Sequence, residues 1–522
     1  MASEKQDKQL GMDRPIARRD FLNGVAIAIG STAAQGLLPC LEWAAEAAAP
    51  SAQDKPGYYP PTLTGMRGSH AGSFEVAHSE RDGTFWKHAG APVETGETCD
   101  LIVVGGGMSG LAAAYFQHKQ NPSARVLILD NHDDFGGHAK RNEFHINGRM
   151  LLANGGTVSI ESPFPYSPEA RGLLTELGIE PATFEQRYDD SKVYKGLKSA
   201  YFFDEETFGT DRLVVGGPSP YGRQGGVSWP DFLAKTPLSE AVQKDILRVQ
   251  EAKVDYLAGL SSDEQKEKLS RMSYKDFLLK LVKVDPGVIP FYQTRTHGLF
   301  GVGIDGVAAL DCWGLRFPGF QGMNLAPGPY RRMGFTAMGA ATPEKEPYHF
   351  HFPDGNASIA RSLVRALIPA AATGHTAEDI VTAKFDYSKL DQNGSPVRIR
   401  LSSTVVRARH VGDPASAKEV EVSYARDNKV YTVRAKGAVL ACWNMMIPYL
   451  CPELPDAQKE ALKYGSKVPL VYSVVGVKNW KAFEKLGIQR VSCPGMYHTG
   501  VGLDQAVSIG DYQCSQTPDE PV

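Results

Sequence analysis

The chain has 522 residues, 42% hydrophobic and 22% charged, with a formal net charge of −3. That length buries more than one core and points to two or more domains, and the charge excludes the clustered Lys/Arg field that nucleic acid requires. The seven cysteines are odd in number and without CxxC spacing, so neither a zinc site nor a disulfide framework is signalled, and the lack of CxxCH excludes covalently attached c-type haem.

Residues 1–47 read as an export signal. Arg18 and Arg19 precede Phe21 and Leu22, and an apolar run follows from Gly24 to Leu38. That run is shorter than the roughly 20 residues of a bilayer span. An Ala-rich stretch then offers a cleavage point after Ala47. The pattern resembles a twin-arginine signal, which implies periplasmic export of an already folded chain, with its cofactor acquired beforehand. Residues 48–97 show little periodicity but many Gly, His and aromatic residues, and are expected to form an N-terminal arm.

The first clear strand is Asp100–Val104. It runs into Gly105-Gly106-Gly107-Met108-Ser109-Gly110, a stretch of helix formers, and a second strand "ARVLILD" at 124–130. Gly105 allows the tight turn, Gly107 lets backbone approach a pyrophosphate, and Gly110 lets helix and strand pack closely. The helix N-terminus then offers free N–H groups to phosphate. Asp130 stands where a carboxylate accepts from ribose hydroxyls and repels a 2′-phosphate, which disfavours NADP. The similar "GVGIDG" at 301–306 lacks the second strand ending in an acid and is expected to be a loop.

The segment "DDFGGHAKRNEFHINGRMLLANGGTVSI" resembles the FAD-binding start of the flavin amine oxidase superfamily. The resemblance implies a second glycine loop at Gly136 and Gly137, then a basic residue toward the pyrophosphate: His138, Lys140 or Arg141. It implies a third glycine pair, Gly155 and Gly156, near the flavin ring, where backbone without side chains suits a flat ligand. Residues 397–410 read as an alternating strand like the one that pairs with adenine, with Val405 at the matching position. Residues 431–450 resemble the later strand that ends beside the dinucleotide, around Ala441.

The expected fold is α/β, an FAD-binding Rossmann-like domain of the glutathione-reductase type with an inserted α+β substrate domain. The FAD domain is expected at 98–165 and 390–470, and the substrate domain at 166–389 and 471–522. Within 228–290 the sequence is helical: Val242, Ile246, Val249 and Tyr256 fall near helical spacing, and Ser262 with Gln265 forms an N-cap pair. "DQNGSP" at 391–396 is a turn.

Longer stretches, "GMRGSHAGSFEVAH", "GLFGVGIDGVAALDCWG" and "HFHFPDGNASIARSLVRALIP", are similar to the bacterial spermidine dehydrogenase family. The resemblance implies oxidation of a polyamine secondary amine, with FAD, haem b and an acceptor such as a quinone or cytochrome in place of oxygen. Members of that family continue further, ending in a strand and helix that cap the flavin, so a missing C-terminal segment is expected. Polyamine ammonium groups need carboxylates beside aromatic faces, and Asp305, Asp311, Trp313 and Glu161 fit. His349 and His351 alternate, which places both on one side of a strand. Met66, His70 and His78 are the axial haem candidates, since b-type haem takes His or Met. Two other readings stand beside this one: an FAD amine oxidoreductase that uses oxygen, and a cofactor-retaining protein without turnover.

Overall fold

The computed structural model describes residues 51–160, 166–218, 227–334, 350–465 and 467–522. In chain order the strands are β1 (Val93–Val104), β2 (Val126–Leu129), β3 (Arg141–Ile146), β4 (Arg149–Asn154), β5 (Lys198–Phe203), β6 (Arg212–Val215) and β7 (Val397–Arg400). They continue as β8 (Thr404–His410), β9 (Val420–Arg426), β10 (Lys429–Leu440), β11 (Ile488–Ser492) and β12 (Gly500–Gly502).

The main sheet has the order β7-β2-β1-β10-β9-β8. The first four strands are parallel, and β8, β9 and β10 form an antiparallel meander. β1 is longer than the expected Asp100–Val104. Its polar start pairs Val93 with Tyr431 across a register shift, where "ETGET" gives no alternating signal.

The expected single strand over 397–410 is two strands at opposite ends of this order. Ser402 breaks it with a φ of 49°. From Arg400 to Thr404 the backbone reaches at most about 14 Å, whereas five strand spacings measure about 24 Å. A flat sheet is therefore impossible, and the meander folds back over the parallel half. The core confirms this: Ile102, Val104, Leu127 and Leu129 of the parallel strands share one cluster with Val405, Ala408, Val422 and Val433 of the meander.

The opposite face of the parallel strands carries two packed helices, Met108–Gln120 and Ala357–Leu367. The second helix is buried along almost its whole length, including Arg361 and Arg365. The Arg361 guanidinium lies 4.3 Å from the centroid of the Phe385 ring, a cation–π contact in a dry setting.

A separate helical unit builds its own core from Ile246, Tyr274, Phe277, Tyr292 and Leu310. Its helix Glu240–Glu251 buries Val242, Ile246 and Val249 as expected, but Tyr256 lies beyond the helix end. The N-cap of the next helix is Ser261, one residue before the expected Ser262. Glu264 closes the capping box there, while Gln265 turns inward to Asp255. Residues 301–306 are a loop, as expected.

One buried ion-pair network joins hairpin β3–β4 to the helix Ala357–Leu367. Asp354 accepts from Arg141 Nε at 2.9 Å and from Ser358 Oγ at 2.7 Å, and it is fully buried. Arg141 also donates to the Val381 carbonyl and approaches Glu143 at 3.4 Å. Removing one partner of such a pair strands the other charge in low dielectric. Asp354→Ala is expected to cost about 3 to 5 kcal/mol, read as a lower urea midpoint with unchanged slope.

Candidate functional site

The four parallel strands end on one edge, where open α/β sheets bind their ligands. Backbone hydrogen bonds tie those ends together. Gly105 N donates to Leu129 O at 2.8 Å, Asp130 N to Arg400 O at 3.0 Å and Ser403 N to Asp130 O at 2.7 Å. On the other side of β1, the carbonyl of Ala441 sits 2.6 Å from where a Cβ on Gly105 would be. Gly105, Asp130, the 401–403 crossing and Ala441 therefore meet, with Val405, the second residue of β8, just beyond the crossing.

Three glycine turns stack on this edge. Gly136 N donates to Gly106 O at 2.8 Å, and a Cβ on Gly137 would stand 3.0 Å from Gly107 Cα. Gly155 N donates to Lys140 O at 2.7 Å, and a Cβ on Gly156 would stand 2.6 Å from His138 O. Gly110 is the most constrained, since its Cβ would fall 1.9 Å from Gly105 O. Gly105 and Gly136 also hold φ values of 106° and 100°, which side chains disfavour. The helix Met108–Gln120 starts at Gly107 with no side-chain cap. Its first N–H groups and positive dipole end thus suit a phosphate.

Asp130 is buried at the end of β2. Its carboxylate accepts from Gly106 N at 2.6 Å and from His132 N at 2.7 Å. Burial pushes this carboxyl up, while the His132 N–H and the Lys140 ammonium pull it down. A carboxylate offers about four acceptor sites, so two remain for ribose hydroxyls. Lys140 is buried, and its Nζ has no hydrogen-bond partner among the described residues; its nearest recorded ion-pair oxygen is on Asp133, 3.9 Å away.

The arm straps the loop that follows Asp130, a role that no motif in the arm signals. Gln53, buried, pairs with the free edge of β7: its amide donates to Ile399 O at 2.8 Å and accepts from Leu401 N at 2.9 Å. Tyr58 donates to Asp133 O, and Arg67 reaches both Asp133 oxygens at 2.7 and 2.6 Å. Burial alone would raise the Asp133 carboxyl, but hydrogen bonds from His70 and Arg67 outweigh it and hold it well below the usual range.

Several expected residues lie elsewhere. Arg141 is not a pyrophosphate contact, because its guanidinium is committed to Asp354, Glu143 and Val381 in the core. Lys140 turns toward the acidic loop, which leaves His138 as the exposed member of the three. Of the haem candidates, His70 does not fit a haem. His70 has Nε2 at 3.0 Å from Asp133 and Nδ1 at 2.9 Å from Ala71 O, so neither nitrogen is open to iron. Met66 and His78 are exposed, and no metal-binding cluster of His, Cys, Asp or Glu occurs among the described residues.

None of the contacts described for the substrate candidates reaches the glycine turns. Asp305 accepts from Gln293 at 2.6 Å, Asp311 from Gly334 N at 2.8 Å, and Trp313 lies under Lys266, all within the helical unit. That unit packs around its own core, which holds these side chains there. His351 contacts Phe352 O at 3.1 Å, and burial lowers its imidazole pKa. Glu161 and His349 fall outside the described residues, as does the signal segment. No helix among the described residues is long and apolar enough to cross a membrane.

Residues 103–177 match the family model for an NAD(P)-binding Rossmann-like domain. This agrees with the sheet order and the glycine turns, and the domain is a Rossmann-like, dinucleotide-binding one. The oxidoreductase PigB of Serratia sp. (strain ATCC 39006) is 38% identical over 86 residues, a stretch that spans 16% of this chain and 11% of that protein. Among solved structures, a redesigned putrescine oxidase superposes with a TM-score of 0.44 at 15% identity, covering 81% of this chain and 74% of that one. Cyclohexylamine oxidase from Brevibacterium oxydans IH-35A gives 0.34 at 15% identity, covering 70% and 63%.

Two substitutions test the cradle. Gly110→Ala forces backbone apart and is expected to abolish retention of an adenine dinucleotide through gel filtration. Lys140→Met removes the cation that opposes burial at Asp130, so the folded-state carboxyl pKa rises further and the acid form gains. Dinucleotide affinity is then expected to fall about tenfold for each pH unit of added shift, with the deficit closing as pH rises; titration calorimetry across pH reads it.

Proposed function

We propose that this chain binds FAD on the stacked glycine turns and oxidises a secondary amine of a polyamine. Spermidine is the proposed substrate, giving 1,3-diaminopropane and 4-aminobutanal. The proposed acceptor is a quinone or cytochrome in place of oxygen, and the proposed compartment is the periplasm. The cofactor reading rests on one observation: three turns without side chains meet a buried carboxylate and an uncapped helix end on a single sheet edge. The polyamine reading rests on the long sequence stretches that resemble spermidine dehydrogenases.

When bound, the flavin supplies hydride acceptance. The chain's own part is binding and orientation. The backbone of Gly105–Gly107 and the N–H groups opening the helix Met108–Gln120 face the pyrophosphate. Asp130 orients the ribose through its remaining acceptor sites, and Gly136–Gly137 and Gly155–Gly156 present flat backbone to the rest of the dinucleotide. The carbonyl end of β10 at Ala441 closes the far side.

The test is an anaerobic absorption spectrum of the full chain before and after spermidine. The expected result is a flavin spectrum, FAD released on denaturation, and bleaching by spermidine. A colourless folded protein that takes up no FAD rejects the cofactor reading. Flavin that stays oxidised with spermidine keeps the cofactor and rejects the substrate.

A further inference from the structure

A cavity of about 440 Å³ opens at the sheet edge opposite the cradle, between the start of β1 and the turn 391–396 that leads into β7. From Thr98 to Val104 the two edges are about 20 Å apart along β1. The pairing of β1 with β10 slips at this end. Glu94 faces Thr432 and Thr98 faces Arg434, so four steps on β1 match two on β10. The extra residues bulge out around Thr95, whose hydroxyl donates to Thr432 O at 2.8 Å and accepts from Glu97 N at 3.1 Å. Bulges of this kind re-aim the side chains beside them.

The charges around the cavity balance except at one residue. Glu97 pairs with Arg398 and lies 3.2 Å from Arg400. Asp391 takes Arg400 at 2.6 Å, and Arg426 lies between Asp391 at 3.7 Å and Asp427 at 3.8 Å. Asp100 is taken by Lys436 at 2.7 Å. Arg125, on the cavity wall, forms no ion pair among the described residues, and its guanidinium donates only to Thr98 Oγ, at 3.2 Å. Other donors on the two walls are also unspent. Thr98 accepts from Arg125 and keeps its own O–H. Arg398 donates to Asn393 Oδ1 at 3.2 Å, which leaves both Nδ2 hydrogens of that amide. Ser395 spends its N–H on Gln392 O at 3.2 Å, and Gly394 N has no backbone partner among the described residues.

We infer that this cavity binds a phosphate monoester, at a site separate from the dinucleotide cradle. Arg125 meets the dianion with charge-assisted hydrogen bonds. Thr98 from one wall, and Asn393, Gly394 and Ser395 from the other, donate to the remaining oxygens. A carboxylate offers about four acceptor sites in one plane, whereas a tetrahedral phosphate suits donors that converge from two walls. The volume falls in the range of small-molecule sites, about 300 to 1,000 Å³, so an organic group accompanies the phosphate. Val126 and Pro396 give that group an apolar contact.

The experiment titrates phenyl phosphate into the full chain by calorimetry, beside Arg125→Gln and a charge-matched control, Arg490→Gln. Arg125 and Arg490 are both exposed, so both variants should fold. The parent is expected to saturate at a single site. Arg125→Gln should weaken binding at least about tenfold, as loss of a hydrogen bond to a charged group does, and Arg490→Gln should leave it unchanged. Absence of saturable binding at millimolar phenyl phosphate overturns the inference. Equal weakening in the two variants assigns the binding to diffuse surface charge and overturns it too. Benzoate that binds as tightly as phenyl phosphate makes this a carboxylate site, with the same consequence. FAD uptake, read from flavin absorbance, is expected to be equal in all three proteins, so a failure of the cradle and a failure of this site are told apart.

Discussion

The approach of backbone to backbone at the ends of the parallel strands governs this molecule. Gly105 lies against the Ala441 carbonyl, Gly110 against the Gly105 carbonyl, and Gly137 against Gly107. A Cβ at Gly105 or Gly110 would collide with backbone, and one at Gly137 would press on the Gly107 Cα at 3.0 Å. The first joins β1 to the loop after β10, the second seats the helix on its strand, and the third stacks the loop after β2 on the first turn. The same absence of side chains that packs the elements leaves a bare backbone surface for a ligand. Packing and binding are thus one constraint, and Asp130 locks it by holding Gly106 and His132 from a buried position.

The crossing at 401–403 extends that constraint to the second layer. It passes over Asp130, bonded there through Ser403 N, and folds the meander onto the parallel strands. The arm then closes the perimeter. Gln53 acts as a single strand residue on the open edge of β7, and Arg67 and His70 clamp Asp133. Asp130 and the loop after it carry three carboxylates close together, Asp130, Asp133 and Asp134. The arm's cations and Lys140 offset a repulsion that burial would otherwise magnify.

The sequence carried the parts whose physics is local. The turn at 105–110 was legible because close approach demands glycine at set positions, and the acid at 130 because it ends the second strand; the glycine pairs at 136–137 and 155–156 came from the family resemblance. The helical register of Val242, Ile246 and Val249 was legible because burial follows helical spacing. What failed was long-range. Arg141 looked like a phosphate contact because nothing local reveals Asp354, 213 positions away. His70 looked like a metal ligand because its true partner, Asp133, lies in another element. The break at Ser402 was hidden because β7 and β8 both alternate, and only a left-handed residue between them splits the pattern. Ser261 displaced Ser262 because Glu264 completes its box, a one-residue choice that two adjacent serines leave open.

The pairing of β1 with β10 has a consequence for how the chain is made. Val104 leaves the ribosome roughly 340 residues before its neighbour Leu440, an interval of about 20 to 70 s at ordinary elongation rates. Throughout that time Ile102, Val104, Leu127 and Leu129 have no meander to cover them. The dinucleotide cradle is therefore encoded early and completed late, and the nascent polypeptide must carry an uncovered apolar face through most of its synthesis. Gln53 of the arm, translated before any of it, waits for Ile399 and Leu401 to be made.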